Sequence, residues 1–169
     1  AGPSGAIWLE KSVTQTKMDL TRYRNILVFA EQRQGCIQPV TYELIGKGLN
    51  LAKQLGEQVS VCLCGRNVRS LAEGLLEYGV DKVYFYDYSE LEHFRIEPYT
   101  GIMVKLVEEL KPNIILMGAT PVGRSLAPRV AARLRTGLTA DCTTLSVKEN
   151  GDLVQTRPAF GGDVMRSEE

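Results

Sequence analysis

Ile26-Leu27-Val28-Phe29-Ala30 is a continuous apolar run without the polar alternation of a strand that has one wet face, so it reads as a strand buried on both faces. Residues 40–55 follow with Leu44, Gly48, Leu51 and Leu55 at helical spacing, opened near Pro39 and closed by Gly56, the Pro-before, Gly-after asymmetry of a helix. Residues 59–64 form a second strand. Val68, Leu71, Ala72, Leu75 and Leu76 then make one helical stripe, with Gly79 placed to end it. Residues 83–86 give a third strand. After the irregular stretch 87–97, a helix from Pro98 buries Ile102, Leu106 and Leu110, and Pro112 stops it before a fourth strand at 114–117. Thr120 can cap the next helix, with Pro121 at its first position, Leu126, Val130 and Leu134 on its inner stripe, and Gly137 past its end. Strands that alternate with helices need crossover connections, which are right-handed and lay the helices on the faces of a parallel sheet. The expected fold class is α/β: a three-layer α/β/α sandwich with a mainly parallel, Rossmann-like sheet.

Outside this alternation the pattern changes. Beyond Asp141 the period becomes two, with Thr144-Leu145-Ser146-Val147 and Leu153-Val154-Gln155-Thr156 flanking Asn150-Gly151. Asn-Gly readily takes the two positive φ values of a type I′ turn, so a carboxy-terminal β-hairpin is expected, projecting from the sheet rather than extending it. At the other end, residues 1–24 mix Gly, Pro, Ser and Thr with one apolar patch, Ile7-Trp8-Leu9, and Met18-Asp19-Leu20 reads as a natural start. The expected organisation is an extension or appended leader at 1–24, a single α/β domain at 25–162 and a tail at 163–169.

Composition narrows the function. The chain has 169 residues, 44% hydrophobic and 24% charged, the balance of one ordinary soluble domain. Its 20 basic residues are matched by 20 acidic ones, whereas a non-specific duplex binder carries a basic excess or stripe, so no nucleic-acid partner is expected. The longest apolar runs are too short to span a bilayer, and no secretory h-region opens the chain, so no membrane insertion is expected. Cys36, Cys62, Cys64 and Cys142 contain no C-x-x-C pair and read as structural thiols of a reducing cytoplasm, without a metal site.

The segment that carries candidate chemistry is Gly118-Ala-Thr-Pro-Val-Gly-Arg-Ser125, between the fourth strand and its helix, close to G-x-x-x-x-G-K-[ST]. Arg124 replaces the lysine of that pattern and Pro121 removes a backbone donor, which disfavours nucleotide hydrolysis. The helix start still offers N–H groups and a partial positive charge, so Gly118, Thr120, Gly123, Arg124 and Ser125 are the candidate cofactor-binding residues, as a relic nucleotide loop. No catalytic residue and no metal ligand stands out. Arg124, Arg129, Arg133 and Arg135 divide between two directions of the helix and suit a solvated or subunit-facing surface better than a nucleic-acid stripe. His93, the one histidine, lies among acids with no ligand partner and reads as a surface residue. Residues 30–35 carry no G-x-G-x-x-G.

Three stretches together resemble the alpha subunits of the electron transfer flavoproteins: Asn25-Ile-Leu-Val-Phe-Ala-Glu-Gln32, residues 118–132 continuing into Thr136-Gly-Leu-Thr-Ala-Asp-Cys142, and Thr156-Arg-Pro-Ala-Phe-Gly-Gly162. The resemblance covers about residues 18–165. It implies an adenine-nucleotide-hydrolase-like fold and a redox carrier, not an enzyme. Such a subunit is cytoplasmic and forms a heterodimer with a beta subunit, taking electrons from flavoprotein dehydrogenases and passing them on through FAD. In that family a further carboxy-terminal domain holds most of the FAD and would follow the Arg157-to-Gly162 segment, whereas this chain runs only to Arg166-Ser-Glu-Glu169. The resemblance therefore implies a scaffold and subunit-contact domain, no FAD on this chain alone, and a crevice like the beta subunit's that is not expected to hold a nucleotide. The rivals are a free-standing adenine-nucleotide-binding domain resembling universal stress proteins, and a magnesium-dependent phosphate-loop hydrolase.

Overall fold

The computed structural model describes residues 7–10, 23–134, 144–147, 153–156 and 167–168, the short strands outside 23–134 by their backbone. In chain order the elements are β1 (Ile7–Glu10), β2 (Ile26–Ala30), β3 (Gln32–Arg33), β4 (Cys36–Ile37), α1 (Pro39–Leu55), β5 (Val59–Gly65), α2 (Arg69–Leu76), β6 (Lys82–Asp87), α3 (Ile96–Leu110), β7 (Ile114–Leu116), α4 (Pro121–Arg133), β8 (Thr144–Val147), β9 (Leu153–Thr156) and β10 (Ser167–Glu168). All of β2 is buried, as its unbroken apolar run requires.

Strands β6, β5, β2 and β7 lie side by side and parallel, Ile26 facing Val59 on one side and Ile114 on the other. Side chains alternate across a strand, so one run of apolar residues serves two cores. Ile26, Val28, Val61, Leu63 and Phe85 pack under α1 and α2, while Leu27, Phe29, Cys62, Cys64 and Tyr84 pack under α3 and α4. The chain steps from β2 to β5 to β6 in one direction, then returns across the sheet to place β7 on the far side of β2. Right-handed crossovers running in opposite directions put their helices on opposite faces, which accounts for the two pairs of helices. Where the direction reverses, between β2 and β7, the connections at the strands' carboxyl ends diverge and leave a crevice.

Helix boundaries follow local chemistry. Gly56 takes the left-handed conformation at φ 66° that ends α1. Helix α3 starts at Ile96, ahead of the expected Pro98, because a proline in the first turn lacks only an N–H that has no intrahelical partner there. Pro128 sits inside α4, and the helix continues through it with Ala127, Val130 and Ala131 buried against the sheet.

One expectation is corrected, and two pairings go beyond the sequence reading. Residues 144–147 and 153–156 do not form a hairpin standing off the sheet: β8 pairs antiparallel with β7, Leu116 opposite Thr144, and β9 with β8, so both extend the sheet. An edge strand presents unpaired N–H and C=O groups, and β7 offered them. The Asn150-Gly151 turn lies outside the described residues. The antiparallel pair that does stand apart from the main sheet, among the described residues, is β3 with β4 near the amino end, turning through Gln34 and Gly35 at φ 52° and 78°. Finally, residues 7–10, set outside the fold in the sequence reading, pair antiparallel with β6, Ile7 opposite Phe85. Among the cysteines, Cys62 and Cys64 are core residues, and their mutual hydrogen bond together with burial pushes the Cys64 thiol well up; Cys36 is exposed. Cys142 lies outside the described residues.

Phe29 is 1% exposed and its ring meets the edge of Tyr99, with centroids 6.3 Å apart. Phe29→Ala is expected to cost about 3–5 kcal/mol in urea unfolding, the range for emptying an aromatic site in a packed core. A loss below about 1 kcal/mol would show that this face is not tightly packed.

Candidate functional site

The crevice between β2 and β7 is built from two strand exits. Glu31 directly follows β2, and Gly118 lies two residues beyond β7. A Cβ on Gly118 would sit 2.6 Å from Glu31 Oε2 and 2.9 Å from Val40 Cγ2, so only glycine leaves room for the carboxylate. A Cβ on Gly123 would fall 1.7 Å from the carbonyl oxygen of Gly118, so the first turn of α4 rests directly on the strand's exit backbone. Both glycines of the G-x-x-x-x-G spacing thus have a packing reason, side chains against Gly118 and backbone against Gly123.

Thr120 caps α4 from an extended conformation, its Oγ1 accepting from the Gly123 N–H at 3.1 Å, and the Arg124 N–H donates to the Thr120 carbonyl at 2.8 Å. Pro121 has no N–H to give. Among the described residues, Val122 is therefore the first-turn position whose N–H has no partner. Because Thr120 Oγ1 accepts from Gly123, its own proton is free to donate, and it does so to Glu31 Oε2 at 2.7 Å.

Glu31 is pinned along its backbone as well. Its N–H donates to Thr41 Oγ1 at 2.9 Å, and its carbonyl accepts from the Thr41 hydroxyl at 3.2 Å and the Gln38 N–H at 2.8 Å. At 7% exposure it is a buried acid. Burial raises its pKa above the ordinary value, while the Thr120 hydrogen bond pulls the other way.

The structure places Gly118 and Thr120 against Glu31 and Gly123 against Gly118, and leaves Arg124 and Ser125 exposed. Arg129 is paired with Glu97 of α3, and Arg133 is exposed. Arg135 lies outside the described residues. His93 is exposed, 3.6 Å from Glu92, beside an open basin of about 480 Å³ lined by Gln32, Gln34, Arg66 and Asn67. At that basin Asp87 accepts from the N–H groups of Asn67 at 2.7 Å and Val68 at 3.3 Å, where α2 begins. No group of three metal-ligating side chains exists among the described residues, and none of their helices is long and apolar enough to cross a membrane. Sequence reasoning missed Glu31. Its signal was an acid at the exit of a doubly buried strand, in a stretch inspected only for glycines.

Comparison with known proteins adds the lineage. The family model for the electron transfer flavoprotein domain matches residues 26–169. The chain is 55% identical over 164 residues to the lactate dehydrogenase (NAD(+),ferredoxin) subunit LctC of Acetobacterium woodii, covering 97% of this chain and 39% of that protein. It is 48% identical to the electron transfer flavoprotein subunit alpha of Clostridium acetobutylicum and 46% identical to that of Megasphaera elsdenii, each over 88% of this chain and 44% of the relative. The chain thus spans less than half the length of these relatives.

Two outcomes test this geometry. Gly123→Ala forces a Cβ onto a carbonyl oxygen, and a loss of about 1–3 kcal/mol is expected in thermal or urea unfolding; unchanged stability would contradict the close approach. For Glu31, a raised folded-state pKa means that the native chain binds the proton more readily than the unfolded one. Its contribution is then fully present below the unfolded pKa and is lost as pH rises through the folded pKa. Stability of Glu31→Gln relative to the parent is therefore expected to improve from about pH 4 to pH 7; a difference independent of pH refutes the burial account.

Proposed function

This chain belongs to the electron transfer flavoprotein domain family, and from that premise we propose that it is the amino-terminal scaffold and subunit-contact domain of an electron transfer flavoprotein alpha subunit. In the whole protein it would pair with a beta subunit in a heterodimer that carries electrons from flavoprotein dehydrogenases through FAD. The observation that carries the scaffold reading is the filled crevice. At the position where α/β folds of this type take a nucleotide, the described residues offer a buried carboxylate and one partnerless first-turn N–H. They do not fit the flavin adenine dinucleotide. We assign its binding to a following domain and to the partner, and none to Gly118, Thr120, Gly123, Arg124 or Ser125.

The same geometry argues against a free-standing nucleotide-binding domain, which needs an open crevice, and against a phosphate-loop hydrolase, whose loop must wrap a phosphate with free N–H groups. With chemistry removed from the crevice, the helix faces are left for contacts. On α4 the neighbours Arg129 and Arg133 stand one turn apart, Arg129 paired with Glu97 of α3. Guanidinium groups suit such a face because they are weakly hydrated and bond bidentately.

The purified chain is expected to be colourless, and to acquire flavin absorbance only as part of the complete alpha and beta pair. Stoichiometric flavin on the chain alone would overturn the reading. Arg129→Ala combined with Arg133→Ala in the complete alpha subunit is expected to weaken beta-subunit binding about tenfold, the scale of one good interface contact. Glu97→Gln, which releases Arg129 without removing it, is expected to change affinity by less than about threefold. Full affinity in the double variant would place the interface elsewhere.

A further inference from the structure

We infer that the Glu31 carboxylate is a built-in occupant of the crevice between β2 and β7, standing where the phosphate of a nucleotide would stand and closing this domain to phosphate monoesters. This concerns the crevice alone: a beta subunit that failed to bind the α4 face would leave it untouched.

Four observations converge on it. The first is position: Glu31 leaves β2 at the point where the strand order reverses, beside the exit of β7. The second is bonding. The positive end of α4 meets its acceptor in Thr120 Oγ1, and the proton of that hydroxyl lies on Glu31 Oε2 at 2.7 Å, so one hydroxyl links the helix start to an anion. The third is space, because the carboxylate lies so close to Gly118 that even a methyl group there would meet it at 2.6 Å, so it fills the gap beside the exit of β7. The fourth is anchoring: the hydroxyl of Thr41 and the N–H of Gln38 hold the Glu31 backbone in place, and turning the carboxylate away would give up its hydrogen bond from Thr120.

Helix α2 repeats the device. The N–H groups of Asn67 and Val68, the two residues that lead into it, are answered by Asp87, the last residue of β6. Two of the helices that begin at the carboxyl end of the sheet therefore face a carboxylate supplied by the chain itself.

The test titrates adenosine 5′-monophosphate and, separately, inorganic phosphate into the parent, Glu31→Ala and Glu31→Asp, reading the amide signals of Val122 and Gly123 by NMR and the heat by calorimetry. The parent and Glu31→Asp are expected to show no saturable binding at millimolar ligand. Glu31→Ala is expected to bind at least one of the two at least tenfold more tightly than the parent, with Kd of about 1 mM or below and a shift of the Val122 amide. Binding of phosphate alone marks an anion pocket without room for a nucleoside, and tighter binding of the nucleotide marks a crevice that accepts both; each supports the inference. If Glu31→Ala does not fold, Glu31→Ser, which keeps a short acceptor for Thr120, carries the same measurement. Equal binding by parent and variant, or no binding by a folded variant that lacks the carboxylate, overturns the inference.

Discussion

The approach of Gly123 to the carbonyl of Gly118 constrains the whole carboxyl end of the sheet. With no side chain on either residue, the first turn of α4 lies against the backbone leaving β7, and Thr120 is placed between that turn and β2. From there the bonding is forced. The Thr120 oxygen is taken by the helix, its proton must go outward, and the nearest acceptor is the carboxylate on the neighbouring strand exit. A larger residue at 118 would expel the carboxylate, and one at 123 would lift the helix.

Burying an acid is unfavourable unless its oxygens are bonded, and the raised pKa of Glu31 records that cost. The cost is tolerated because the alternative is also unfavourable. Without it the Thr120 hydroxyl that caps α4 would have no acceptor on the neighbouring strand exit for its proton.

Much of this fold was legible from residues 26–134 because two periods are unambiguous there: unbroken apolar strands separated by helical stripes with Pro and Gly at their ends. The limits of β2 are those the sequence implied, and α1 and β5 differ by a single residue, since apolar runs and caps act locally. Apart from the start of α3, the main departures concern tertiary pairing. Nothing in Ile7-Trp8-Leu9 says that it will find the edge of β6, and nothing in Thr144-Leu145-Ser146-Val147 says that it will find the edge of β7. Strand edges recruit partners by backbone groups that every sequence carries, so period-two segments announce a strand without announcing its neighbour. At the crevice, the glycines at 118 and 123 were visible but their cause was not. Glycine demanded by a phosphate and glycine demanded by a carbonyl look the same in one dimension.

The carboxylates at the carboxyl end of the sheet also bear on what the domain can offer to other molecules. In an open α/β sheet the carboxyl ends of the strands are the reactive end, and here two of the helices that start there are answered by Glu31 and Asp87. The surfaces that the core does not need are the outward faces of the helices and the edges of the sheet. Those surfaces are held by a sheet buried on both sides, in which β2 cannot move without disturbing α1 and α2 on one face and α3 and α4 on the other. A domain held rigid in this way presents those helix faces and sheet edges in a constant geometry.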